Sequence, residues 1–129
     1  MTGKWRLALF AFVLSNVATM TAQGPAVDRV VRKRLKVSQK ILETVVTSRW
    51  ADLATRSRDL ENLTNDPAWR VLTAPEYARQ SSAFRAAVRT LRDAAAKQDL
   101  DAAPKAYIAV TVSCVECHRY LARKRLAGR

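Results

Sequence analysis

The chain has 129 residues, 49% of them apolar, a formal charge of +12, two cysteines and a single histidine. That length supplies one domain with one core and excludes a multidomain enzyme. Two cysteines exclude a disulfide-stapled scaffold, and no GxGxxG, P-loop, HExxH or Ser/His/Asp set is present.

In chain order, the first element is a targeting segment. Lys4 and Arg6 precede an apolar run from Leu7 to Met20, broken by Ser15, Asn16 and Thr19. The run is short for a membrane span and has the pattern of a secretory signal peptide over 1–22, cut after Ala22. Residues 23–129 are then the mature domain, exported and periplasmic. Losing Lys4 and Arg6 lowers the charge by two and leaves all 11 acidic residues in place. Such a basic surface suits an acidic protein partner or an anionic membrane surface. Export argues against a nucleic-acid partner.

Four segments of helical period follow, none with the alternation of a strand. The first covers about residues 26–47, with Val27, Val30, Val31, Leu35, Ser38, Ile41, Leu42 and Val45 as its apolar stripe. The second covers about 49–63, with Trp50, Leu53, Ser57, Leu60 and Leu63 on one face. Asn65, Asp66 and Pro67 are turn chemistry. The third covers about 75–97 and presents Tyr77, Ser81, Phe84, Val88 and Leu91. Thr73 and Glu76 have capping-box spacing around Pro75. The fourth covers about 101–126, with Asp101 as its expected cap and a stripe through Ala103, Tyr107, Val110, Cys114, Cys117, His118 and Leu121. The expected fold is all-α: an antiparallel up-down-up-down four-helix bundle, held together by burial of these stripes.

Both cysteines and the histidine fall within five positions, CVECH at 114–118. A disulfide between positions i and i+3 closes only a tiny loop and constrains little. A redox CxxC belongs in a βαβ unit, and tetrahedral zinc needs about four protein ligands. In an exported chain CxxCH is the attachment signature of c-type haem. On a helix the positions i, i+3 and i+4 share a face. Cys114 and Cys117 thus reach two vinyl groups of one porphyrin by thioether bonds, and His118 serves as axial iron ligand. The cofactor expected is one covalent haem c.

A C-terminal CxxCH on the last helix of a four-helix chain resembles the cytochrome c′ group, the class II cytochromes c. The resemblance extends over KVSQKILETVVTSRWADLATRSRDLENL at 36–63 and from Ala68 to Leu121, including LDAA at 100–103. It implies gas binding, nitric-oxide handling or electron transfer; no catalytic residue is expected, because haem ligation uses up His118, the only histidine available as a general base. It also implies redox protein partners and a homodimer through the first two helices, a contact that the basic first helix would weaken. Six-coordinate relatives use a methionine that would fall at or beside Val31. The only methionines here are Met1 and Met20, so the expectation is a five-coordinate haem open to small diatomic gases such as NO and CO. Val27, Val31 and Leu35 are placed over its distal face, and Phe84 and Tyr107 against the porphyrin.

Arg29, Arg32 and Lys33 are candidate partners for haem propionates, and Lys33, Lys36, an N-terminal amine or water are the remaining candidates for a sixth ligand. The family commonly carries an arginine four residues after the haem histidine; here that residue is Ala122. Two rival readings are a six-coordinate electron-transfer cytochrome with a non-methionine ligand and a haem-free basic helical interaction protein.

Overall fold

The computed structural model describes residues 23–70 and 73–127. The expected signal segment 1–22 lies outside the described residues, as does the side chain of Val27. Four helices form: α1 (Gln23–Val46), α2 (Trp50–Asn62), α3 (Pro75–Lys97) and α4 (Ala102–Ala127), with short 3₁₀ turns at Leu63–Asn65 and Pro67–Trp69 between α2 and α3. No strand occurs among the described residues, and none of their helices is long and apolar enough to cross a membrane.

The first three helices are amphipathic, the fourth carries apolar residues on its exposed side as well, and the buried faces of all four meet in one core. Ile41 from α1, Leu53 and Leu60 from α2 and Val88 and Leu91 from α3 are fully excluded from solvent, and Val110 from α4 nearly so. Burying side chains of this size contributes about 1.5–3 kcal/mol each. Ala94 and Ala95 of α3 share that core with Ala103 and Ala106 of α4. These small side chains let two backbones approach closely, and α3 against α4 is the most extensive helix pair. Thr44, Ser57 and Ser113 are buried, yet their hydroxyls donate to Ile41 O, Leu53 O and Val110 O within their own helices. Among the described residues, no buried side-chain nitrogen or oxygen is left without a hydrogen-bond partner.

Two tight turns set the helix order. Ser48 and Gln98 have left-handed backbones, φ 54° and 53°. After α1, Arg49 N donates to Thr44 O and Ser48 N to Val45 O. After α3, Asp99 N donates to Ala94 O and Gln98 N to Ala95 O. Both are Schellman endings, which satisfy the last carbonyls of a helix and usually place glycine at the left-handed position. α1 and α4, the first and last helices, meet sparsely, through Ser38 with Tyr107 and Arg34 with His118.

Three local expectations change. The α1 stripe is turned by about one residue: Arg34 is buried, whereas Leu35 is 58% exposed and Leu42 47%. α3 starts after Ala74 with no side-chain cap, so Thr73 does not close a capping box. α4 is capped by Asp99 instead of Asp101, because the Asp99 carboxylate accepts from the backbone N–H of Asp101 and of Ala102, at 3.0 and 2.8 Å.

Candidate functional site

The 3₁₀ turns between α2 and α3 exist to bring one side chain inward. Asp66 caps the second turn by accepting from Ala68 N at 2.9 Å. Trp69, at its end, is then tucked under the bundle with 5% exposure. Its indole N–H donates to Ser81 Oγ at 3.1 Å, its carbonyl accepts from the Tyr77 hydroxyl, and its ring lies 5.2 Å from that of Phe84. Trp69 is therefore a fixed wall, held from three sides by α3.

Against that wall opens a cleft of about 240 Å³, bounded by Val30, Val31 and Arg34 of α1 and by Cys117, His118 and Leu121 of α4. Tyr77, Cys117 and Tyr120 form a small apolar cluster at the same end of the molecule. Both cysteines are free thiols. Cys117 is buried on the cleft side, and Cys114 is half-buried, one turn earlier, where it faces Arg34, Phe84 and Gln80. Burial pushes both thiols above the ordinary cysteine range, with the nearby positive charge of Arg34 acting in the opposite direction.

His118 is exposed on its outer side and turns Nε2 inward, 2.6 Å from Arg34 Nη2. A guanidinium only donates, so Nε2 accepts and the neutral ring carries its proton on Nδ1. Burial lowers the His118 pKa, and the Arg34 charge lowers it further. The ring is thus neutral, with its one lone pair directed into the cleft and engaged by Arg34; neutral imidazole is the form in which histidine binds metal.

Arg34 is the residue that the sequence reading did not place here. It is 8% exposed, and its guanidinium carbon lies 4.8 Å above the Trp69 ring centroid and 5.8 Å from that of Phe84. The 11 acidic residues of the chain are all among the described residues, and none forms an ion pair with it. A spacing signal existed: Arg34 stands four residues after Val30 and seven before Ile41, on the buried side of α1.

The other expected site residues are distributed as follows. Val31 is half-buried and lines the cleft. Leu35 does not: the rotation of α1 carries it into solvent, and Arg34 takes the inward position. Phe84 is 2% exposed and forms the floor beside Cys114. Tyr107 packs against the main core and donates from its hydroxyl to Ser38 O at 3.2 Å, next to the cleft and not within it. Arg29, Lys33 and Lys36 are exposed, and Arg32 is paired with Asp28. Ala122 lines the cleft rim.

The donor types are those that would hold a haem covalently. Two free thiols one turn apart face the same side, an imidazole lone pair points into an apolar-walled cleft, and a buried cation beside it has no carboxylate. The cleft is smaller than the roughly 300–1,000 Å³ of usual cofactor pockets, and the Arg34 guanidinium occupies much of the space between α1 and α4. Among the described residues, no group of three or more His, Cys, Asp or Glu converges to hold a metal ion on its own. No match to this chain is found among protein-family models, curated proteins or solved structures.

Proposed function

We propose that this chain is an exported monohaem c-type cytochrome, similar to the cytochrome c′ group, that binds small ligands at its iron and exchanges electrons with an acidic protein partner. Cys114 and Cys117 would hold the haem as thioethers, and His118 would ligate the iron. The observation that carries the reading is the combination on one face of α4 of two free thiols and the inward Nε2 of the chain's only histidine. When bound, the haem supplies a redox-active iron with an open coordination position.

The chain's own residues do the rest. Trp69 and Val30, both buried, give the cleft apolar walls. Burial holds His118 neutral, so the ligand nitrogen needs no deprotonation at neutral pH. No methionine or second histidine exists between residues 23 and 129, and Lys33 and Lys36 are exposed. These absences support an open sixth position, in which a bound iron would be five-coordinate. An antiparallel bundle is part of the same reading. It is supported by the pairing of residue 34 with 118 and of 38 with 107, two contacts that run in opposite directions along α1 and α4. Export is supported by the basic start and the apolar run that follows it.

The test is expression with export in cells that mature c-type haem. The expected product retains its haem through acid–acetone extraction, shows a high-spin ferric spectrum, and binds CO and NO when reduced. Substituting Cys114→Ala together with Cys117→Ala abolishes attachment. A colourless wild-type protein, or haem that extracts into acetone, would overturn the reading. A low-spin spectrum would overturn the open sixth position alone.

A further inference from the structure

We propose that Arg34 faces the open coordination position of this haem and makes it a receptor for a small inorganic anion, nitrite-sized or smaller. The inference rests on the haem reading above and goes beyond it, since the sequence implied an apolar distal side suited to neutral gases.

Three observations carry it. First, Arg34 is a permanent cation, 8% exposed, and no acidic side chain of the chain pairs with it. A buried charge without a counter-charge is costly, so a fold that keeps one has a place for an anion beside it. Second, the geometry sets that place. Arg34 Nη2 is 2.6 Å from His118 Nε2, the nitrogen that would bind iron. One lone pair holds one partner. With iron on Nε2, Arg34 loses His118 and needs a new acceptor. Third, Arg34 cannot leave the cleft with its helix. Val30 and Ile41 lie on the same face of α1, at 4% and 0% exposure, and fix that face inward. Trp69 and Phe84 hold the guanidinium from the side. α1 and α4 are opposite walls of the cleft, so a flat ring held between them, with Arg34 drawn back from Nε2, would have His118 on one side and Arg34 on the other.

A guanidinium there donates to whatever the iron binds. Donation to a charged acceptor is stronger than to a neutral one, so the site discriminates by charge. Neutral CO gains little from it, whereas an anion gains a hydrogen bond and a counter-ion in a partly dehydrated space.

Fluoride is the probe, titrated into the ferric haem protein by visible absorption, with CO titrated into the ferrous protein as the neutral comparison. Arg34→Leu is expected to weaken fluoride roughly 10- to 100-fold, the range for a hydrogen bond to a charged group, with CO affinity changing far less. Arg34→Lys, which keeps the charge, retains most of the fluoride affinity, and Arg34→Gln loses it. If Arg34→Leu does not fold, the Lys and Gln variants give the same comparison. Unchanged fluoride affinity in haem-loaded Arg34→Leu or Arg34→Gln overturns the proposal and leaves the haem reading intact. Wild-type protein without covalent haem overturns both, and acid–acetone extraction separates the two failures.

Discussion

Glu76 is held ionised far below the usual carboxylate range, at a pKa of about 2, first because Arg79 donates to it from two nitrogens and second because Gln80 donates as well. The sequence pairs it with Thr73 as a capping box, yet it turns along α3 instead, toward side chains three and four residues on. A folded-state pKa below the unfolded value near 4.5 stabilises the fold above pH 4.5, and that stabilisation is lost as pH falls toward 2. The Glu76 carboxyl should accordingly titrate near pH 2 by NMR. Glu76→Gln should flatten the stability profile between pH 4.5 and 2 and leave its shape above pH 5 unchanged. A titration midpoint near 4.5 would remove the effect. At this same scale the cysteines and the histidine were readable from the sequence, because rare residue types at fixed spacing identify themselves. Arg34 was not, because charge is the usual mark of an exposed face. Its helical spacing, four after Val30 and seven before Ile41, was the better guide.

The helices themselves were legible as elements. α3 begins and ends where its period predicts, and α1, α2 and α4 differ from the expected limits by a few residues at most. The period also fixed the buried faces of α2 and α3, where Leu53, Ser57, Leu60 and Leu63 and Tyr77, Ser81, Phe84, Val88 and Leu91 are all buried; it was less exact on α1 and α4. On α4 the expected Ala103, Val110 and Cys117 are buried, but so are Ala106, Ser113 and Tyr120, while Ile108, Val112 and Val115 are exposed. Apolar residues therefore surround α4, and its stripe is ambiguous from sequence. Caps were harder still, since Asp99 and Asp101 have the same chemistry and only the loop geometry selects between them. The two Schellman endings make a prediction at this scale. Ser48 and Gln98 occupy a conformation that costs a non-glycine residue about 1–3 kcal/mol. Gln98→Gly should raise unfolding stability by about 1 kcal/mol, net of the added freedom of glycine in the unfolded chain. Gln98→Val should lower it, and denaturant melts of the two variants give the sign directly.

Across the whole molecule, an all-helical chain of four segments could be read from periodicity, whereas the meeting of its first and last helices could not. No local pattern records that Arg34 and His118 touch, 84 residues apart. That separation has a kinetic consequence. Each helix packs on its chain neighbour across a connection of three to twelve residues, so these neighbouring pairs can associate early. Bringing α1 against α4 closes the longest loop in the molecule, at an entropic cost that grows with loop length. The cleft is then the last part of the fold to form. Val30→Ala should destabilise the protein by about 2 kcal/mol, almost wholly by faster unfolding, with the refolding rate unchanged. Leu91→Ala, inside α3, should instead slow refolding. Stopped-flow chevrons of the two variants distinguish this order from one in which α1 docks first. Until that closure, Cys114 and Cys117 lie on a helix without its covering partner. Whatever must reach both sulfurs has that interval in which to do so.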